Sequence, residues 1–253
     1  MILKPRIDDI KNIGYYLGRI ILGIGLTMFF PFIAGFVLFG ELNPALDFLI
    51  SANIAIFIGL ALSWLCKTDK DLHAGPAMVV IALSWLAAMA LSAIPLLLSG
   101  HYKSFLDACF ETMSGFTTTG LTLVQDLDHL SRTHNLWRHL GPFLGGQGIA
   151  IIAISFLVGG TSGSLNLYLG EGRDEKLVPN IIKTARFIWI ISIVYLILGT
   201  IVLGFVGLSI GLKPQSAFFH AACIFMAGFD TAGFSPQSPN ILYYHSLMFE
   251  IVT

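Results

Sequence analysis

Long uncharged apolar stretches alternate with short polar segments along the chain. A helix needs about 20 residues to cross roughly 30 Å of hydrocarbon. The stretches that reach this length are Ile20–Gly40, Phe48–Cys66, Ala74–Leu98, Leu140–Gly160 and Phe187–Leu212. Pro31 predicts a kink in the first of them. The pattern therefore predicts an all-α integral membrane fold.

Two further apolar pieces, Ser104–Phe116 and Ser216–Phe229, are too short to span. A helix of about 13 residues rises only about 20 Å. Each piece is followed by a polar, glycine-bearing turn and then by another apolar run, so we expect half-helices that enter the membrane and turn back. The last run, Leu242–Thr253, has 12 residues and contains Glu250. We expect the sequence to stop within a further span.

This pattern occurs twice, with a shift of 113 residues. FLDACFETMSGFTTTG (105–120) and FFHAACIFMAGFDTAG (218–233) align without a gap and share seven identical positions. The same shift places 75–98 on 188–211, which indicates an internal repeat. The predicted units are an N-terminal two-helix hairpin (1–73), a first span–pore loop–span repeat (74–160), a cytosolic connection (161–186) and a second repeat, truncated and incomplete (187–253).

Composition and charge favour a bilayer environment. The chain is 55% hydrophobic and 11% charged, with a mean hydropathy of +0.80, whereas soluble domains are about a quarter charged. There is no basic stripe of the kind that binds nucleic acid. With a cytoplasmic N-terminus, ten Lys and Arg residues lie inside and four outside, as the positive-inside rule requires. We therefore predict a multi-pass plasma (inner) membrane protein.

The two polar turns should face a cavity, because non-helical backbone at membrane depth is tolerated only there or inside protein. A half-helix entering from outside points its partially negative C-terminus at mid-membrane. Carbonyl oxygens without helical partners suit a dehydrated monovalent cation and would repel an anion. Threonine favours extended backbone, and glycine permits a positive φ. The predicted ion-binding residues are Thr117, Thr118, Thr119, Gly120, Asp230, Thr231, Ala232 and Gly233.

The segments SGFTTTG (114–120), TAGF (231–234) and GGQGI (145–149) resemble the Trk/Ktr/HKT superfamily of potassium transporters. The extra N-terminal hairpin is similar to that of its TrkH/TrkG branch. The resemblance implies four repeats around one pore, each with one selectivity-filter strand, and K⁺ as the transported ion at the filter residues, without an organic cofactor. It also implies a homodimer, a gating loop in the third repeat and a cytosolic nucleotide-binding regulatory subunit of the TrkA type.

The sequence departs from the family pattern at two positions. Asp230 stands where asparagine is usual, and Phe143 stands where tryptophan is frequent. In sodium-preferring plant HKT relatives serine replaces the first filter glycine, so Gly120 favours potassium by resemblance. Permeation of sodium or ammonium, and a non-transporting membrane sensor or scaffold, are the alternatives. An enzyme is disfavoured, because the sequence contains no HExxH or GxSxG motif.

Other polar positions allow two interpretations each. Asp107 and Glu111 share one face of the first half-helix and are candidates for a cation-attracting outer vestibule or for bonds to neighbouring loops. Four glycines could mark a hinge, but close packing of the helix on its neighbours is the favoured interpretation. They are Gly141, Gly145, Gly146 and Gly148. The segment 170–176 is a cytosolic turn or a docking surface. For five acidic and histidine residues an outer polar loop is favoured over a metal site, because five-residue steps put the histidines about 140° apart on a helix and not on one face. These residues are Asp126, Asp128, His129, His134 and His139.

Overall fold

The structure is a computed structural model that describes residues 7–68, 72–148 and 181–253. Within these ranges every regular element is helical, as the apolar pattern predicts. The predicted turn at 170–176, most of the connection 161–186 and the last part of Leu140–Gly160 lie outside the described residues.

The N-terminal hairpin consists of α1 (Ile7–Thr27), α2 (Phe29–Ile33), a π-helical segment (Ala34–Phe39) and α3 (Leu42–Leu65). Its first span runs over Asp9–Phe39 and has 31 residues, so it begins well before the predicted stretch. The two arms touch through glycines. A Cβ on Gly59 would lie 2.7 Å from the backbone nitrogen of Leu22, so only glycine permits this approach.

The next three helices are α4 (Ala74–Leu98), α5 (Phe105–Phe116) and α6 (Arg132–Gln147). The bounds of α4 agree with the prediction. Ser104 caps the 12-residue helix α5, because its hydroxyl accepts a hydrogen bond from the Asp107 amide at 3.1 Å. Helix α6 begins before the predicted stretch, since its first two turns are polar yet buried in protein.

The C-terminal part contains α7 (Ile181–Ser209), α8 (Pro214–Phe229), a 3₁₀ turn (Asn240–Tyr244) and α9 (Leu247–Val252). Pro214 occupies the first turn of α8, where its missing N–H costs nothing. Helix α8 packs along α7. A Cβ on Gly204 would lie 2.5 Å from ring carbons of Phe218, so small residues again set the helix spacing.

Four described helices are long and apolar enough to cross a membrane: Asp9–Phe39, Leu42–Leu65, Gly75–Leu98 and Lys183–Ser209. Their outer faces carry exposed large apolar side chains, such as Phe57 and Trp64 on α3 and Phe205 on α7. Such surfaces suit lipid or further protein and not water. The chain is therefore a multi-pass membrane protein, and every regular element of its described residues is a helix.

Candidate functional site

The short helices α5 and α8 end in two turns with matching backbone, which we name the first turn (117–120) and the second turn (230–233). In the first turn Thr118 and Gly120 have φ values of +53° and +76°. In the second turn Thr231 and Gly233 have φ values of +57° and +75°. Left-handed backbone is uncommon for threonine. Its recurrence at positions 113 residues apart therefore reflects a shared local structure and not chance.

The amides of the first turn point back into α5. The Thr118 amide donates to the carbonyl of Gly115 at 2.9 Å, and the Thr119 amide donates to that of Ser114 at 2.8 Å. The Thr117 hydroxyl also donates to the Met113 carbonyl at 2.8 Å. These bonds satisfy the last carbonyls of the helix, and they anchor the turn to it.

The second turn repeats the arrangement on α8. The Thr231 amide donates to the carbonyl of Gly228 at 3.1 Å, and the Ala232 amide donates to that of Ala227 at 2.8 Å. Donors and acceptors are the residues that the 113-residue shift places on the first turn. Both turns therefore have their amides directed toward a helix.

The carbonyl oxygens of the two turns are available for other partners. Among the described residues, none donates a hydrogen bond to a carbonyl of 117–120 or 230–233. Each turn also follows a helix C-terminus, where the helix dipole is partially negative. Oxygen dipoles that accept no hydrogen bond from the described residues, next to negative helix ends, are of a kind that suits a monovalent cation.

The two turns meet at one point. A Cβ built on Gly120 would overlap the carbonyl oxygen of Ala232 and lie 3.0 Å from its carbonyl carbon. No side chain fits there without displacing that carbonyl. Although α5 and α8 are far apart in sequence, the structure brings the turns that follow them together.

Helix α6 packs behind both turns through glycines. A Cβ on Gly145 would overlap the Phe116 carbonyl, and a Cβ on Gly146 would lie 2.8 Å from Cγ of Asp230. Gly141 faces Gly115, with 3.9 Å between its ideal Cβ and the facing Cα. These contacts favour the close-packing interpretation of the glycine cluster.

Asp230 begins the second turn and is 9% exposed. Its Oδ1 accepts a long hydrogen bond, 3.3 Å, from Nε2 of Gln147 on α6. Its Oδ2 has no hydrogen-bond partner among the described residues. A buried carboxylate with one weak partner is costly, which marks Asp230 as a candidate for a functional role.

The other unusual position, Phe143, lies in an aromatic cluster. Its ring centroid is 6.0 Å from that of Trp189 on α7 and 6.3 Å from that of Phe229 at the end of α8. Phe143 thus helps to fix the helix end that precedes the second turn.

The two vestibule candidates have different surroundings. Asp107 lies beside an open cavity that His101, Lys103 and Gln125 also line. Glu111 is 1% exposed, and its Oε1 accepts a hydrogen bond from Nε of Arg138 at 2.8 Å. In the sequence, Arg138 is one of the four Lys and Arg residues that the charge distribution assigns to the outer side. A charged residue close to an apolar stretch of a membrane protein is the signal that could have singled it out.

The acidic and histidine residues of the predicted outer loop are dispersed. Asp126 and His129 form an exposed pair at 2.8 Å. His134 instead faces Asp47 of α3 at 3.3 Å, and His139 is buried in α6 with Nδ1 near the Asn135 carbonyl. No group of three or more potential metal ligands occurs in the part of the chain that the structure describes.

Comparison with known proteins identifies the family. The model of the family described as "TrkH: Cation transport protein" matches residues 46–253. The chain belongs to the TrkH family. An uncharacterised cation transporter of Methanocaldococcus jannaschii is 37% identical over 235 residues, which cover 93% of this chain and 47% of that protein. The Trk system potassium uptake protein TrkH of Halomonas elongata is 29% identical over 243 residues, which cover 93% of this chain and 48% of that protein.

Other TrkH-family proteins extend the comparison. The Trk system potassium uptake protein TrkG of Escherichia coli is 29% identical over 191 residues, covering 74% of this chain and 38% of TrkG. The crystal structure of the potassium transporter TrkH from Vibrio parahaemolyticus matches with a TM-score of 0.76 at 21% identity. The match covers 96% of this chain and 48% of the chain in that crystal structure, so the fold is shared. The chain spans about half the length of the relatives it matches.

Proposed function

We propose that this chain supplies the first two selectivity-filter strands of a pore that takes up potassium across the plasma membrane. The observation that carries the proposal is the matched pair of turns, 117–120 and 230–233, with left-handed backbone at equivalent positions and carbonyl oxygens that accept no hydrogen bond from the described residues. A potassium ion entering from outside would exchange its water for these oxygens. The names of the Trk relatives support potassium as the ion.

The proposed ion site uses backbone atoms of Thr117–Gly120 and Asp230–Gly233. Their amides are engaged by α5 and α8, which leaves the backbone carbonyl oxygens for the ion. The helix dipoles add a partial negative charge beside the site. Because carbonyl dipoles are weaker ligands than carboxylates, an ion can leave as well as enter.

Two further parts of the proposal rest on family resemblance and charge distribution. We place the N-terminus in the cytoplasm, because ten of the Lys and Arg residues then lie inside. In that orientation Asp107 faces the outer solution, where its charge raises the local cation concentration. A homodimer and a TrkA-type regulatory subunit complete the assembly that the resemblance implies.

Ion uptake by the full-length protein tests this function. Cells that lack their own potassium uptake systems should grow at low potassium and accumulate rubidium when they express it. Sodium and ammonium should compete weakly, which separates potassium uptake from the alternative of sodium or ammonium permeation. Purified protein in liposomes should carry a rubidium flux with the same ion selectivity. Binding of ions without any flux in either assay would instead support a sensor or scaffold and refute the transport proposal.

A further inference from the structure

A buried ion pair links α5 to α6. Nε of Arg138 donates to Oε1 of Glu111 at 2.8 Å, and both side chains are 1% exposed. Removing two charges from water carries a large desolvation cost, which the attraction between them repays only with good geometry and further hydrogen bonds. A well-packed apolar pair would often be as stable. Helix packing alone therefore does not explain why this position has an ion pair and not apolar side chains.

The Glu111 carboxylate holds the segment that follows the first turn. Its Oε2 accepts a hydrogen bond from the Leu123 amide at 2.8 Å. The Thr122 hydroxyl lies 2.9 Å and 3.1 Å from the two carboxylate oxygens. Thr122 and Leu123 come two and three residues after Gly120. The carboxylate thus fixes where the chain goes as it leaves the first turn.

The Arg138 guanidinium reaches the segments that follow both turns. Its Nη2 donates to the Thr122 hydroxyl at 3.1 Å. Its central carbon lies 4.7 Å from the ring centroid of Phe234, the residue after Gly233. Its Nη1 lies 3.5 Å from the Ser235 carbonyl. One side chain therefore contacts the exit of the first turn and the exit of the second.

A neighbouring residue of α6 reinforces the second of these contacts. Nδ2 of Asn135 donates to the Pro236 carbonyl at 3.0 Å, and its Oδ1 accepts from Nη1 of Arg138 at 3.1 Å. The side-chain amide holds the guanidinium in place while it binds the backbone after the second turn. Arg138 and Asn135 thus form one hydrogen-bonded unit on α6.

The Glu111–Arg138 ion pair belongs to the first of the two repeats. The 113-residue shift places Glu111 on Ile224, which is 5% exposed and packs among apolar residues that include Tyr244 and Phe249. A short helix of this kind therefore does not need a charge at that position to fold. The ionic pair occurs where two turns must be held relative to one another.

We infer that Glu111 and Arg138 are a positioning pair that sets the spacing between the first and second turns and thereby the discrimination between potassium and sodium. The inference rests on the proposed function, since it assigns the pair to the same ion site. Neither side chain touches the ion. The pair acts through the residues after each turn, Thr122 and Leu123 on one side and Phe234 and Ser235 on the other.

The test compares the ratio of sodium to rubidium influx in liposomes containing the full-length protein or a variant. Glu111→Gln and Arg138→Gln should each raise this ratio by about three- to tenfold, since each removes charge-assisted hydrogen bonds at the exits of the turns. Arg138→Lys keeps the charge but loses the forked contacts, so its ratio should lie between those of the wild type and Arg138→Gln. Thr122→Val leaves no charge unpaired and should shift the ratio in the same direction, less strongly.

Ile224→Ala is the matched control at the equivalent position of α8. It should lower the amount and thermal stability of the protein, because it leaves a cavity, while the influx ratio stays at the wild-type value. If Glu111→Gln does not accumulate, Arg138→Lys and Thr122→Val decide the question. A wild-type ratio in these variants, with only the amount of protein reduced, would overturn the positioning role. Absence of flux in the wild type would instead refute the proposed function.

Discussion

Gly120→Ser tests the contact between the two turns most directly. Gly120 has a φ of +76°, and left-handed backbone costs about 1–2 kcal/mol for a residue with a Cβ. The new Cβ would also overlap the Ala232 carbonyl oxygen and lie 3.0 Å from the carbonyl carbon. The carbonyl must therefore move away from its position in the proposed ion site. We expect a loss of potassium-over-sodium discrimination of about tenfold, which corresponds to roughly 1.4 kcal/mol of ion-binding free energy.

The assay is rubidium uptake at increasing sodium concentrations, normalised to the amount of protein in the membrane. Gly100→Ser is the matched control, because Gly100 has a φ of +74° and no heavy atom within 4 Å of an ideal Cβ. It carries the same backbone cost without contact to either turn, so its discrimination should equal that of the wild type. Equal ratios for Gly120→Ser and Gly100→Ser would refute the role of the Gly120–Ala232 contact.

Three further predictions concern packing, charge and pH. Gly145→Ala should lower the melting temperature, since overpacking against the Phe116 carbonyl costs at least about 1–3 kcal/mol; Gly75→Ala, with open space around its Cβ, should not. Asp230→Asn should raise the rubidium concentration for half-maximal uptake several-fold, because a neutral amide replaces the titratable carboxyl group at the start of the second turn; an unchanged value would contradict this. The hydrogen bond with Asp126 raises the pKa of His129, so their ion pair should weaken as pH rises through that raised value. An NMR titration should show this His129 pKa fall in Asp126→Asn.

The sequence was sufficient to predict the four described spans and the two short helices. The apolar stretch Ala74–Leu98 is nearly uniform in hydropathy, so its bounds could be read directly, whereas the first span begins well before the predicted stretch. The predicted span Leu140–Gly160 lies partly outside the described residues. The positions of the turns were also predictable, but the extended backbone expected for the threonines was wrong, because Thr118 and Thr231 are left-handed, with φ values of +53° and +57°. A glycine after a threonine-bearing segment, repeated 113 residues later, indicates a backbone that leaves the helix in the same way twice. The prediction that they form an ion pathway awaits the flux experiments.

Hydropathy did not predict the start of α6 or the ion pair that Arg138 forms. The first turns of α6 contain Arg132, Asn135 and Arg138, which suggest an outer loop when sequence alone is read. They are helical because neighbouring protein, and not lipid or water, provides their partners. A hydropathy window measures transfer from water to hydrocarbon and contains no information on such partners.

The sequence by itself determined the apolar helices of the described residues and the position of each turn along the chain. These follow from local properties: apolar length, helix-breaking residues and glycine. Only the tertiary structure decided that the Ala232 carbonyl lies against Gly120, and that Glu111 pairs with an arginine 27 residues away. Such contacts depend on how α5, α6 and α8 dock together. Docking is a property of the packed helices as a set and not of any one segment.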